Sequence, residues 1–523
     1  MGLVFWNHGG GSISGVCFDE KHDYDSLSLS EIDKSLSTVY DKMTDKFEFI
    51  GFDACLMSTL ETANMLVPYA RYMFASEETE PGGGWNYTDI MNFLAQNPDA
   101  DGAALGEMQC SSYYQHCIDN GDYEGSTFAI TNLSALDDLL VSSNTTAKQL
   151  YENGDINAIA RAVFKADNFG GNTRSEGYTN MVDLKSMLTA VSPYASNAAD
   201  TISKLDNVVV SKISGPQHTT AGGLSLYYPL AVQGSTELST FSSVCTSTYY
   251  LALVDKIAYG TTGGDPLTYD NSYLINDIDD INEVDANFND NIGANNDSFQ
   301  GCDDESCPLT INNIYFDSDG TYTIDLESLD EVSFATCTLF MDCGDGSLIY
   351  LGEDDDVIYN ENKILDNFSG EWINMNGVAM PVEIVSQTED SSIFTCSILL
   401  NGSEENLRIV YDWNTSEWRI AGIWGGIDEN TGMAMRSNTV LNDGDIIQPV
   451  YNWLDENSDE YFAGDEIIYN NADTAIYYDL LPASDYYYAI SIYDTYGNVW
   501  LSDFVTFTVD EEGDIWFDET ELG

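Results

Sequence analysis

The chain has 523 residues, more than one ordinary hydrophobic core can serve, so two or more domains are expected. Its 88 acidic residues against 17 basic ones give a formal charge of −71. That excludes nucleic acid and anionic membranes as partners, because phosphate binding needs clustered Lys and Arg. An acidic surface of this kind steers cationic peptides inward, although adaptation to an exposed or salty medium is the plainer explanation.

The first predicted strand is Leu3-Val4-Phe5-Trp6, which runs into Asn7-His8-Gly9-Gly10-Gly11. With only four histidines in the chain, a strand-end His followed by three glycines is unlike chance, and such glycines let backbone N–H groups approach a ligand as an oxyanion hole requires. A polar stretch, Ser12 to Tyr24, follows. Ser28 with Glu31 then fits a capping box and Leu27 with Ile32 a hydrophobic staple, opening a helix whose buried stripe is Ile32, Leu36, Val39 and Met43. Phe47, Phe49, Ile50 and Phe52 read as a buried strand, Asp53-Ala54 as its tight exit. Cys55 is expected to open a helix in which Leu56, Leu60, Ala63 and Val67 recur. There the dipole would favour its thiolate. Alone, a strand-end cysteine is better read as one more inert buried residue. The strand–helix–strand order changes that: the two strands should be parallel, which brings His8 and Cys55 to one edge of one sheet.

The pair WNHGGG and FDACLMSTLETA resembles the His-Gly and Asp-Ala-Cys motifs of clostripain-like cysteine peptidases, a family in the clan of caspases, legumain and gingipains. ASEETEPGGGWNY (Ala75–Tyr87) and AGGLSLYYP (Ala221–Pro229) are similar to further family segments, in the same order, over about the first half of the chain. The resemblance implies a cysteine endopeptidase with Cys55 as nucleophile, His8 as general base, and the N–H groups of Gly9 and Cys55 as the oxyanion hole. It implies an S1 pocket built from the end of the Cys strand and the loop after the next one. Asp53 is a candidate to receive a P1 Arg or Lys, or else caps the helix at Cys55, and Glu80, Trp85 and Tyr87 are further pocket candidates, with Glu77 and Glu78 weaker ones. Uncharged Gly83 and Asn86 leave a strict Arg/Lys preference open. Self-cleavage between the His and Cys motifs points to Lys21, which is equally an ordinary surface lysine. The family also carries a strand and helix upstream of the His strand, so another chain or an earlier start is expected to supply that piece. Peptides or proteins are the implied substrates.

Further along, Tyr72–Ala75 is a third predicted strand, Pro81–Tyr87 a loop, and Ser126–Ile130 and Leu224–Tyr228 later strands. Residues 88–96, 102–118, 134–140, 156–166 and 249–258 are predicted helices. His22, His116 and His218 sit where nothing nearby suggests chemistry. No CxxC pair and no zinc constellation occurs, while Cys302 and Cys307 could close a small loop disulfide. Residues 261–310 turn to Asp and Asn and read as an acidic linker; calcium is conceivable there, and in the family, but no EF-hand pattern is present. The chemistry itself requires no cofactor. From Ile311 the pattern alternates with period two between Asp-Gly and Asn-Gly turns. The fold expected is thus a caspase-like α/β catalytic domain over 1–260, a mostly parallel sheet flanked by helices, then an all-β, sandwich-like region over 311–523 in one or two units. Trp372, Trp413, Trp418 and Trp424 there are read as core and cross-strand packing before any ligand surface; the region's ligand is unknown. No signal peptide and no bilayer-length apolar run is visible, so secretion or a cell-surface location is inferred from the family and the acidity. The alternative is a secreted or surface adhesion protein whose peptidase-like domain is inactive.

Overall fold

The computed structural model describes residues 1–259 and 310–517, apart from positions 41, 154, 317–320, 331, 345–346, 355, 368, 429–430, 436–437, 454–460 and 494–498. The predicted Cys302–Cys307 pair and all but the end of the acidic linker lie outside the described residues. The chain forms two compact units. The first gathers the described part of residues 1–297 together with two short stretches from much further along, 386–390 and 425–439.

The first unit is built on a five-stranded sheet: β1 (Gly2–Trp6), β2 (Phe47–Asp53), β3 (Ala70–Ala75), β4 (Thr127–Asn132) and β5 (Val209–Ser214), adjacent in that order. The first three strands are parallel, and β4 and β5 pair antiparallel. The crossover between β1 and β2 is a helix, α1 (Leu29–Tyr40). Its capping box forms as read, with Ser28 N–H donating to Glu31 Oε2 at 3.0 Å and Glu31 N–H to Ser28 Oγ at 3.3 Å. Leu29, Ile32 and Leu36 are buried, but Val39 is exposed and the helix ends before Met43. Side chains alternate across the sheet as the pleat demands. Ile50, Phe52, Met73 and Ala75 pack on one face with α1 and with α2 (Leu60–Leu66). Val4, Phe49, Tyr72 and Phe74 pack on the other with α3 (Tyr87–Gln96) and α4 (Gly102–Asn120). Helices therefore cover both faces. The predicted strand near Leu224 is real (Ser225–Tyr227) but belongs to a separate small antiparallel sheet with Met181–Asp183 and Asn168–Phe169.

The second unit is almost wholly β. The period-two segments become strands, among them Tyr322–Leu326, Ser391–Leu400, Ser403–Asp412, Glu417–Trp424 and Ser484–Tyr493. Asn401 (φ 51°) and Gly402 (φ 88°) make the tight turn between the two longest partners, because a two-residue hairpin of this hand needs positive φ at both positions. Trp372 and Trp424 are buried, Trp418 packs on Phe394 and Tyr411, and only Trp413 is half exposed, so these indoles are mainly packing.

Thr59 caps α2, its hydroxyl accepting Thr62 N–H at 3.0 Å. Thr59→Ala should lower the stability of the first unit by about 1 kcal/mol, read as a lower urea midpoint with an unchanged slope.

Candidate active site

Strands β1 and β2 end level, with Trp6 opposite Asp53. Two residues beyond each partner stand His8 and Cys55, so both side chains arise at one corner of the sheet's carboxyl edge. The two backbones touch there. A Cβ on Gly9 would run into the Cys55 carbonyl and lie 3.1 Å from Cys55 N. Only glycine permits this approach, which places the Gly9 and Cys55 backbones side by side. His8 is fixed through its main chain: its N–H donates to Asn7 Oδ1 at 2.5 Å, and its carbonyl accepts Cys17 N–H at 2.9 Å. Its Nε2 faces Glu20 at 3.8 Å.

Cys55 does not open a helix. Residues 54–59 form a turn, Leu56 takes a left-handed conformation (φ 65°), and α2 begins at Leu60. The apolar spacing from Leu56 extends helical periodicity one turn too far, because Leu56 N–H donates to the Glu78 carbonyl at 3.2 Å and Ser58 N–H to that of Ser76 at 2.9 Å, outside any helix. The helix dipole therefore does not act on the thiol. The Glu80 N–H donates to Cys55 Sγ at 3.3 Å.

The same turn removes the capping role of Asp53, since Thr59 is the cap. Asp53 is buried beneath the loop after β3, accepting Tyr87 O–H at 2.9 Å and Trp85 N–H at 3.3 Å. Gly84 lies over it: a Cβ there would stand 2.8 Å from Asp53 Oδ1. Trp85 is not a pocket wall. Its ring is buried over Gly51 and edge-on to Phe128, and its Nε1–H donates to Glu80 Oε1 at 3.3 Å. Glu80 is buried as well, accepting Ser76 O–H at 2.6 Å. Tyr87 alone of these is 40% exposed, so it is the loop side chain open to a ligand. Lys21 is exposed in the turn between two short strands.

Two features escaped sequence reading. A small hairpin, Ile427–Asp428 paired with Met433–Ala434, belongs to the first unit. Ala434 N–H donates to the Gly9 carbonyl at 3.3 Å, Ile427 N–H donates to that of Glu176 at 2.8 Å, and both side chains cluster with Cys55, Leu56, Phe169 and Ala221. Cys55 has no exposed surface. Nothing in the sequence near Gly425 distinguishes this hairpin from its neighbours. The second feature is a buried acidic network. His218 Nδ1 lies 2.8 Å from Asp167 Oδ1 and its Nε2 3.3 Å from Glu78 Oε2. Glu77 accepts Gly223 N–H at 2.9 Å, and Asp183 accepts Gly222 N–H at 2.6 Å. Burial first, then the Asp183 charge, holds Glu77 well above the carboxylate range, and burial pushes Asp183 up to about 6. These partners are dispersed over some 140 positions and carry no local motif. Among the described residues no group of three or more His, Cys, Asp or Glu side chains is arranged to hold a metal ion.

Gly9→Ala keeps the backbone N–H but drives a methyl into the Cys55 carbonyl, so it should push the two backbones apart, lower the urea midpoint of the first unit and cut any Cys55-dependent turnover by about 100-fold or more. Ile427→Ser combined with Ala434→Glu puts polar and charged atoms beside the thiol, which burial without a partner disfavours. Iodoacetamide should then alkylate Cys55 about tenfold faster or more, measured by mass spectrometry; an unchanged rate would show that the hairpin does not control access.

Comparison with known proteins places the first half of the chain. Residues 1–255 match the clostripain family, Peptidase C11. Among solved structures, an inactive zymogen C11 protease from Parabacteroides distasonis is 20% identical over 43% of this chain, with a TM-score of 0.33, and this chain covers 63% of it. A secreted C11 cysteine protease from Bacteroides thetaiotaomicron bound to an irreversible peptide inhibitor is 18% identical over 48% of this chain and 71% of its own, with a TM-score of 0.34. A clostripain from Bacteroides thetaiotaomicron with a peptide inhibitor is 19% identical over 45% of this chain and 97% of its own, with a TM-score of 0.33. A search of curated proteins returned no match. Over residues 1–255 the chain is thus similar to the clostripain family.

Proposed function

We propose that the first unit is a cysteine endopeptidase that cleaves peptide bonds after Arg or Lys through Cys55 and His8. The observation that carries this reading is the contact of Gly9 with the Cys55 backbone at the level ends of β1 and β2. It supports the reading because it brings the backbones that carry His8 and Cys55 together at one corner of the sheet. The Cys55 thiolate attacks the scissile carbonyl carbon, and the N–H groups of Gly9 and Cys55 hold the resulting oxyanion. As the C–N bond breaks, protonated His8 gives its proton to the leaving amine. His8 then takes a proton from water, which hydrolyses the thioester and returns Cys55. No third carboxylate is assigned a role in this cycle.

Asp53 gives the P1 preference its chemistry. Its carboxylate lies under Gly84 with Tyr87 O–H bonded to it, and a guanidinium or ammonium that displaces the Tyr87 hydroxyl would meet a buried anion. Substrate must also displace Ile427 and Ala434 from the neighbourhood of Cys55. Lys21, exposed between the His and Cys strands, is the proposed self-cleavage point. Export to the medium or the cell surface fits the acidic composition. The second unit is assigned no ligand.

The test is turnover of fluorogenic peptides varied at P1, under reducing conditions, with and without calcium, by the full chain and by the Ile427→Ser/Ala434→Glu variant. Cleavage after Arg and Lys that vanishes in Cys55→Ala and falls at least about tenfold in Asp53→Asn is expected. Cysteine-dependent cleavage indifferent to P1 charge would remove Asp53 from the pocket. Folded protein that cleaves nothing, with the hairpin intact or altered, would leave an inactive domain beside a binding region.

A further inference from the structure

We propose that His218, acting through Glu78, is a positioning residue that holds the turn after Cys55 and so aims the Cys55 N–H at the oxyanion; the proposal rests on the peptidase reading. The turn needs holding. Leu56 is a non-glycine residue at φ 65°, a strained conformation that persists only when its surroundings enforce it. Glu78 enforces it from two sides. Its carbonyl accepts the Leu56 N–H at 3.2 Å. Its carboxylate accepts Gly170 N–H at 2.9 and 3.1 Å, and this seats Gly170 against the Leu56 side chain. The fit at that point is tight, because a Cβ on Gly170 would lie 2.9 Å from Leu56 Cδ1.

Glu78 is in turn fixed at every polar atom. Its N–H donates to Thr127 Oγ1 at 2.8 Å, its Oε1 accepts Thr79 N–H at 2.6 Å, and its Oε2 faces His218 Nε2 at 3.3 Å. Both Glu78 and His218 are wholly buried. A carboxylate taken out of water needs a compensating cation, and His218 is the group that supplies it. On its other side His218 Nδ1 meets Asp167 Oδ1 at 2.8 Å, and Thr220 O–H donates to Asp167 Oδ2 at 3.3 Å. Phe169 packs against the imidazole, the rings tilted at 51° with centroids 5.0 Å apart, and it also packs against Cys55. Asp167 also acts on Glu77, which Asp183 and Lys212 face in turn. Burial alone would lower the imidazole's pKa, but Asp167 and then Glu78 outweigh it and raise it to about 9, so His218 is a cation through neutral pH. The chain of contacts is continuous: Asp167, His218, the Glu78 carboxylate, the Glu78 carbonyl, Leu56 N–H, and the Cys55 carbonyl carbon bonded to that nitrogen, from which the Cys55 N–H is separated by the Cys55 Cα alone. His218 touches no substrate in this scheme.

The experiment compares His218→Gln and Glu78→Gln with the parent, all in the Ile427→Ser/Ala434→Glu background. Glu78→Gln keeps the side chain's shape and an oxygen acceptor while removing the charge, so it serves if His218→Gln fails to fold. Peptide turnover needs the oxyanion donors, whereas alkylation by iodoacetamide needs only the thiolate. The expected result is a fall in kcat of about 10- to 100-fold, a KM within about twofold of the parent, and an unchanged alkylation rate. Parental kcat would overturn the proposal, and so would kcat and alkylation falling together, which marks a general loss of packing. If the parent itself cleaves nothing, the peptidase reading fails on its own, and the ion pair is judged by thermal stability. A folded-state pKa above the unfolded value of 6.5 gives stability that is full below pH 6.5 and lost as pH rises through about 9. The parent should lose Tm over that window and His218→Gln should not; equal slopes would overturn the clamp.

Discussion

The arrangement depends on one steric fact: the Gly9 backbone lies against the Cys55 backbone where two parallel strands end level. Parallel pairing needs a crossover, α1 provides it, and the Ser28–Glu31 box fixes where that helix starts. With Trp6 opposite Asp53, any residue just past either strand must share a corner with its counterpart. A histidine on one strand and a cysteine on the other then become neighbours as a consequence of topology, although they are distant in the chain. Gly9 removes the side chain that would otherwise hold the strand ends apart. Open sheets of this kind leave their ligand space at this edge.

The immediate surroundings of Cys55 are set by strain and burial. Leu56 in a left-handed conformation ends the strand abruptly and delays the helix to Leu60, and the Glu80 N–H meets the buried thiol. Holding such a turn requires polar groups in the interior, and the loop Ser76–Glu80 supplies them on successive residues: Glu77 toward Gly223, Glu78 toward Gly170 and His218, Glu80 toward Ser76 and Trp85. A run of acidic residues that would normally be a solvated face is thus an internal frame. This explains how a chain so rich in carboxylates uses some of them for structure.

Much of this was legible in the sequence, and what was not has physical reasons. Capping boxes and Asn-Gly turns act within four residues, so α1 and the Asn401-Gly402 hairpin follow directly from local chemistry. The His and Cys strands were readable from apolar runs and from one helix between them. The helix at Cys55 was misplaced because Leu56, Leu60, Ala63 and Val67 keep a helical period, while the bond that breaks it, Leu56 to Glu78, is tertiary. Trp85 looked like a wall because it follows three glycines, but its place is set by the bare face of Gly51 on a different strand. His218 has partners 51 and 140 residues away, and the hairpin at Ile427 and Ala434 has partners more than two hundred residues away, which no local pattern encodes.

The central claim, that Cys55 is a nucleophile made by its partnership with His8, is tested most directly by covalent trapping. The Ile427→Ser/Ala434→Glu protein would be treated with an arginyl peptide chloromethyl ketone and the adduct mapped by mass spectrometry. The account predicts one adduct per chain on Cys55, formed about 100-fold more slowly or worse in His8→Ala. Labelling that falls on the exposed Cys343, or that reaches Cys55 at the same rate without His8, would contradict it.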